Sequence, residues 1–564
     1  MTRLPSFLLL PLLAGSLLAG DIKMSAELRR LDAHASVDVI VQFKNPPGER
    51  QHNKIRDIHG GVLRRSLDIV KSGHYTMPTR ALEALAEDPD VLYISPDRPV
   101  HGMLDNAGPA VNAPIAFSYG WDGTGLGIAV IDSGIANDPD LKNSKGALRV
   151  VYQQDFVGGG TDDHYGHGQH VAGIIAGNGA SSSKPNSFHT FRGVAPNSNL
   201  INLRVLDQNG NGTDSTVIAA IQTAIQLKSK YNIRVINLSL GRPVFESYQL
   251  DPLCQAVEQA WKAGIIVVVA AGNQGRDNSF GTNGYGTIQA PGNDPYVITV
   301  GAMKTMGTAT RGDDLIASYS SKGPTLIDHI VKPDLVAPGN RMISLMASTA
   351  RLANSYPANA VPLTYYQNTG SGALSSQYYK MSGTSMAAPM VSGAAALLLQ
   401  ENPQLTPDQV KARLMKTASK NFPATSVATD PATGLSYTSQ YDLFTVGAGY
   451  LDIWAALNST DTANLPAVSP TAVYDPSKGV TVVNSLSAVW GSSVVWGSSV
   501  VWGSSVWVSG SSVVWGSSVV WGSSVVWGDS TTSGFSVVWG DSVVWGSSTQ
   551  ARPEAIGITI NGEN

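Results

Sequence analysis

Four short stretches of the chain carry side chains able to do nucleophilic chemistry. Ser385 stands in Gly383-Thr384-Ser385-Met386-Ala387-Ala388-Pro389, where a turn of small residues gives way to a helical pattern. Pro389 is expected in the first helical turn, where a missing N–H costs no intrahelical bond. A hydroxyl there lies near unpaired N–H groups and the positive end of the helix dipole. That setting suits a nucleophile whose attack creates an oxyanion, although a serine before a helix also reads as an N-cap. Asp132 ends the apolar run 126–131 and precedes Ser133-Gly134. In the stretch 162–173, His164, His167 and His170 follow two acids. Their i, i+3 spacing on a helix admits a shared metal ion. The HExxH arrangement is absent and glycines suit a sharp loop-to-helix entry, so His167 as a lone base on a first turn is the better reading. Asn273 ends the run 268–272 at a glycine turn. It is either an ordinary turn asparagine or an amide donor aimed at a developing negative charge.

The elements that must position these groups alternate. Apolar runs of the parallel-sheet kind occupy 126–131, 199–206, 235–240, 265–270 and 296–300. Helical patterns fall near 214–230, 252–263, 386–400 and 406–418. Such alternation predicts an α/β fold, a three-layer sandwich on a mostly parallel sheet with chemistry at the strands' carboxyl edge. Asp132 is expected at that edge.

Together the four stretches resemble the subtilisin-like serine proteases, the subtilase family. Further matches are Gly193-Val194-Ala195-Pro196, the run 235–241 and Lys332-Pro333-Asp334-Leu335-Val336-Ala337-Pro338-Gly339. The resemblance spans 105–457 and follows the family's order Asp…His…Ser. It implies that Ser385 is the nucleophile, His167 the general base and then acid, and Asp132 the group that holds the imidazole. It implies that Asn273 and the Ser385 N–H form the oxyanion hole. By the same resemblance Ser239, Leu240 and Gly241, with Gly210, Asn211 and Gly212, are edge strands that pair with an extended substrate. Ala270, Ala271 and Gly272 line the pocket for the residue before the scissile bond. Small residues there leave room for a large apolar side chain, so broad specificity is expected.

Two departures stand out. Gln169 replaces the threonine usual between the two histidines. The loop 177–192 carries no acidic residue and lacks the family's recognisable calcium loop. The chemistry requires no cofactor; a structural calcium elsewhere is compatible with the sequence but not readable in it. The stretch 340–380 is longer than in compact members, where it could shape the cleft.

With 564 residues the chain should hold more than one domain. A net charge of −4 and a pI near 6.2 give no electrostatic case for nucleic acid or anionic membrane. The single cysteine, Cys254, rules out an intrachain disulfide framework. It lies in a helical pattern and reads as a small buried hydrophobe. Residues 1–20 have an early positive charge, a short apolar run and small residues, the pattern of a secretory signal peptide. No later run reaches the length of a transmembrane segment, so a secreted, extracellular protein is expected.

Residues 35–104 read as strand (37–43), helix (61–72), a short extended piece near 75–78, helix (82–87) and strand (91–95). This α+β module resembles the family's inhibitor-type, chaperone-like prodomain of ferredoxin-like topology. The resemblance implies a self-processing precursor cut between about 101 and 106. After 457 a Thr/Pro/Ser-rich linker (458–487) leads into a hexapeptide repeat (488–548), then a tail (549–564). Tryptophans recur mostly every six residues, an even step that puts them on one face of an extended chain. That segment is expected to form a packed β-repeat, to self-associate or to contact a cell surface. A protein or peptide is the expected substrate, with the chain's own 35–104 module as inhibitor. The competing reading is a surface attachment protein that uses the subtilase domain as scaffold. Intact Asp132, His167, Asn273 and Ser385 favour the enzyme, because a scaffold needs none of them.

Overall fold

The valine- and isoleucine-rich runs form one parallel sheet because each is buried on both faces, as covering helices require. The computed structural model describes residues 23–24, 28, 32–33, 35–67, 71–96, 106–279, 281–368, 372–430, 433–463, 466–475, 479–483, 507–509 and 553–563. The chain divides into two units, 1–101 and 102–564.

In the first unit, strands β1 (Ser36–Phe43), β2 (Val62–Leu67), β3 (Ser72–Pro78) and β4 (Val91–Pro96) make an antiparallel sheet in the order β2-β3-β1-β4. Helices Glu49–His59 and Leu82–Ala86 complete a β-α-β-β-α-β arrangement. Val39, Val41, Phe43, Ile55, Tyr75, Met77, Leu85 and Ile94 form its own core. The helix expected over 61–72 is corrected: the helix lies at Glu49–His59 and 62–67 is an edge strand. Gly60, at φ +67°, stops the helix in the left-handed region that favours glycine. The following Val-Leu-Arg-Arg-Ser-Leu is mostly exposed, so its helical spacing of apolar residues never becomes a buried face.

In the second unit, β5 (Gly127–Asp132), β6 (Val150–Asp155), β7 (Asn199–Arg204), β8 (Ile233–Leu238), β9 (Ile266–Ala270), β10 (Ile298–Lys304), β11 (Leu315–Ile316) and β12 (Leu335–Pro338) form one sheet. Its order is β11-β10-β9-β8-β5-β7-β6, with β12 beside β10. All its pairings are parallel except β10 with β11. The five expected strands are present; β6, β11 and β12 escaped the sequence reading because they are short or polar. Helices Asp214–Tyr231 and Pro252–Lys262 pack together, as do His167–Ala176 and Thr384–Glu401, and both pairs contact the sheet. The result is a mixed α/β architecture with Asp132 at the carboxyl end of central strand β5. Cys254 is a buried helical residue.

A smaller antiparallel sheet, β13 (Met342–Leu345), β14 (Ala360–Pro362) and β15 (Leu374–Met381), is built from the long stretch 340–380. Strand β15 runs directly into Ser382 and the helix Thr384–Glu401. The core does not stop at 457: Ala467, Ala472, Ile558 and Ile560 belong to the same apolar cluster. The expected signal peptide, the processing segment 101–105 and nearly all of the repeat lie outside the described residues. Among those described, no helix is long and apolar enough to cross a membrane.

Candidate active site

Asp132 and His167 meet because β5 ends, and the helix His167–Ala176 begins, at the sheet's carboxyl edge. His167 Nδ1 lies 2.8 Å from Asp132 Oδ1. Asp132 Oδ1 also accepts from the Ser133 N–H at 2.7 Å, while its buried Oδ2 has no hydrogen-bond partner. Burial works against a charged His167. The Asp132 charge, its hydrogen bond and nearby Asp163 outweigh that and hold the imidazole's pKa above its ordinary 6.5.

The histidine's helix is anchored by a carboxylate that sequence reasoning missed. Buried Asp163 accepts from the N–H groups of Gly166 at 2.7 Å, Gln169 at 2.7 Å and Tyr165 at 3.1 Å. It also accepts the Ser133 hydroxyl at 2.9 Å, and that same hydroxyl accepts the Gly168 N–H at 2.8 Å. Ser133 and Asp163 therefore tie the residue after Asp132 to the residue after His167. An acidic residue just before a predicted helix start was the available signal. Gln169 takes the Ala136 N–H on Oε1 at 2.8 Å, so the substitution noted in the sequence fastens the loop after β5.

The three histidines do not converge. His164 Nε2 faces the Gly159 carbonyl at 3.2 Å. His170 Nε2 lies 3.1 Å from both the Met342 and Tyr379 carbonyls. Burial pushes the His170 pKa down to about 3, so it is a neutral donor joining the helix to the β13–β15 sheet. Among the described residues no three His, Cys, Asp or Glu side chains gather as a metal site would require.

Ser385 is the second residue of the helix Thr384–Glu401, after Gly383 at φ +143°. The N-cap reading is therefore replaced, because Gly383 holds the cap position. Pro389 is likewise corrected: it lies inside the helix, beyond the first turn. Its missing N–H would have reached the Ser385 carbonyl four residues back. That carbonyl instead accepts the Ser239 hydroxyl at 2.8 Å. The Ser385 hydroxyl donates in return to the Ser239 carbonyl at 3.1 Å. Ser239 is in turn reached by Asn237 Nδ2 at 2.9 Å, and Asn237 Oδ1 accepts the Ser392 hydroxyl at 2.8 Å.

Asn273 sits beside the serine's turn. Its Oδ1 accepts from the Thr384 N–H at 2.9 Å and the Thr384 hydroxyl at 3.1 Å. These bonds orient the amide and leave Nδ2 as its donor end. A Cβ at Gly383 would lie 3.0 Å from that Nδ2. Gly272, at φ +108°, gives its N–H to the Thr384 hydroxyl at 3.1 Å. Ala270 and Ala271 are buried just before it, and a Cβ at Gly272 would meet Ser321 and Gln289.

The expected substrate-pairing segments carry no regular strand. Ser239, Leu240 and Gly241 continue β8 in irregular backbone, and Leu240 and Gly241 are not buried. Gly210 is in a turn at φ +79°. There the Asp207 carboxylate accepts from the Asn209 and Asn211 N–H groups, at 2.8 and 2.9 Å. Gly210 comes close to the Tyr165 ring, 2.7 Å from where its Cβ would be. Tyr165 itself neighbours His167, with ring centroids 6.5 Å apart. Gly212 follows in irregular chain before the helix Asp214–Tyr231.

Residues 123–449 match the Subtilase family. Serine protease AprX of Bacillus subtilis is 40% identical over 352 residues, covering 61% of this chain and 73% of that protein. Subtilisin E of the same organism is 33% identical over 386 residues, covering 67% of this chain and 84% of that protein. A solved cold-adapted subtilisin-like serine proteinase is 31% identical, covering 53% of this chain and 85% of that one, with a TM-score of 0.38. The class is that of the serine endopeptidases. The chain belongs to the subtilase family.

Proposed function

We propose that the protein is a secreted endopeptidase that cleaves peptide bonds through Asp132, His167 and Ser385, and that it is made as a self-processing precursor. The observation that carries this reading is the 2.8 Å contact between His167 Nδ1 and Asp132 Oδ1. With Nδ1–H committed to the carboxylate, Nε2 is left as the basic nitrogen. Ser385 gives its proton to Nε2 and its Oγ bonds to the scissile carbonyl carbon. The oxyanion takes hydrogen bonds from Asn273 Nδ2 and the Ser385 N–H. His167 then protonates the leaving amine, and water repeats the sequence on the acyl-enzyme. No cofactor enters these steps.

Ala270, Ala271 and Gly272 line the pocket for the residue before the scissile bond, where small side chains leave room for a large apolar one and so for broad specificity. Ser239–Gly241 and Gly210–Gly212 flank an extended substrate. The first unit's β-α-β-β-α-β order supports the ferredoxin-like, inhibitor-type prodomain. The test is active-site labelling with a fluorophosphonate, read by peptide mass. Labelling of Ser385 that disappears in His167→Ala is expected; labelling elsewhere would overturn the assignment.

A further inference from the structure

Beyond the repeat, the chain returns to the catalytic unit. The helix Pro553–Asn561 leads to Glu563, and Ile558, Ile560 and Glu563 are all buried. A buried carboxylate is costly unless paired, and this one is surrounded by donors. Glu563 Oε1 lies 2.6 Å from Arg276 and Oε2 lies 3.2 Å from Lys304. The Ser318 N–H reaches the two oxygens at 3.0 and 3.2 Å, and the Ser318 hydroxyl donates as well. The backbone of Glu563 is read too: Asn340 Nδ2 donates to its carbonyl and Oδ1 accepts its N–H, both at 2.8 Å. The Ser382 N–H donates to the Thr559 carbonyl at 2.9 Å, and Asn359 donates to the Ile560 carbonyl.

Ser382, Asn340, Arg276 and Ser318 each lead within a few bonds to the proposed oxyanion hole. Ser382 is three residues before Ser385, at the mouth of its turn. Gly339, next to Asn340, accepts the Gly383 N–H at 2.8 Å. Arg276 is three residues after Asn273. The loop after Ser318 holds the Asn273 turn directly. Tyr319 accepts the Gly275 N–H at 2.8 Å, Ser321 Oγ accepts the Gln274 N–H at 3.1 Å, and the Ser321 N–H donates to Gly272 at 3.0 Å. Both walls of the proposed oxyanion hole, the Asn273 turn and the Ser385 turn, thus rest on one distant segment.

We propose that Glu563 is a positioning residue: bound in cis in a carboxylate pocket of Arg276, Lys304, Ser318 and Asn340, it fixes Asn273 and Ser385 for turnover. This rests on the oxyanion-hole reading of Asn273. The separation of about 180 residues or more between Glu563 and any of these partners hides the arrangement from sequence inspection. Charge, not bulk, is the element to remove, so the variant is Glu563→Gln, with Glu563→Asp, which keeps the charge, as its partner, both in the full chain.

Activity is expressed per folded molecule, with folding followed by near-ultraviolet circular dichroism, and Asn273→Ala is assayed alongside. Glu563→Gln is expected to lower kcat by about tenfold to a hundredfold with little change in KM, the scale of a slightly misplaced catalytic group. Glu563→Asp should recover part of the loss. Hydrogen exchange should quicken in 272–277 and 381–386 but not in β5 or β7. A kcat per folded molecule equal to wild type, or a loss that only follows the folded fraction, would overturn the proposal. If Asn273→Ala is slow while Glu563→Gln is not, the positioning role alone fails. If Asn273→Ala keeps full turnover, the oxyanion reading fails first.

Discussion

Asn273 uses its carbonyl oxygen on Thr384, and in the proposed mechanism its amide protons serve charge that appears only in the transition state. Asn273→Ala should therefore fold and bind a peptide substrate with little change in KM, while turnover falls about 10²–10³-fold. Steady-state kinetics check it, and an unchanged kcat would remove Asn273 from the mechanism. His167 gives a prediction in pH. As the proposed base its imidazole must be neutral, and Asp132 holds its pKa above 6.5. The acid limb of kcat/KM should accordingly fall at a pH above that ordinary value. Asp132→Asn should cut turnover about 10⁴-fold by removing the group that fixes the tautomer. The stability sign is opposite. A raised folded pKa means the ion pair contributes fully below the unfolded value and is lost as pH rises through the folded one. The pair therefore stabilises most where the enzyme works least. The proposed site residues Asp132, His167, Asn273 and Ser385 could be picked out in sequence because each stands within a short motif. Asp132 ends a strand, His167 and Ser385 stand at helix starts and Asn273 follows a strand by three residues. The anchoring by Asp163, Ser133 and Thr384, and the bonds between Ser239 and Ser385, could not, because that work is done by hydrogen bonds between separate motifs.

Elements hold these residues through buried polar joints. Lys332 Nζ lies 2.7 Å from Asp334 Oδ2 and Lys411 Nζ lies 3.2 Å from Asp334 Oδ1, all fully buried. Ser469 donates to the same carboxylate at 2.6 Å, and Lys411 also reaches the carbonyls of Pro295, Tyr296 and Val297. One aspartate thus fastens β12, the approach to β10, the helix Pro407–Thr417 and the segment after 466. Burial pushes the Lys411 pKa down to about 7 despite Asp334, whereas the two lysines hold Asp334 below the usual carboxylate range against its own burial. Asp334→Asn leaves two cations without their counter-charge and should cost about 3–5 kcal/mol. Urea unfolding should show a lower midpoint at an unchanged slope; an unchanged midpoint would mean the lysines shed their protons without penalty. Legibility at this scale follows burial. Strands such as Ile266–Ala270, buried on both faces, were read correctly because an apolar run admits little else. Val62–Leu67 was misread because an exposed edge strand imposes no alternation on its side chains.

At the scale of the whole molecule, the first unit has its own core, built from Val39, Val41, Ile55, Tyr75, Met77 and Ile94. It can therefore fold around its own sheet instead of completing the peptidase core, as an inhibitor later removed requires. If 35–104 is that inhibitor, the first cut is made by the chain on itself. The reaction is then unimolecular, and its half-time is independent of protein concentration. Ser385→Ala should accumulate as a folded, uncut precursor, because alanine occupies less space than serine and only the nucleophile is lost. His167→Ala should do the same, since an unactivated hydroxyl is a poor nucleophile. Intact-mass measurement on protein purified away from other proteases checks both. A Ser385→Ala protein trimmed near 101–106 under those conditions would assign the cut to another agent. A half-time that shortens with concentration would instead show that one molecule processes the next.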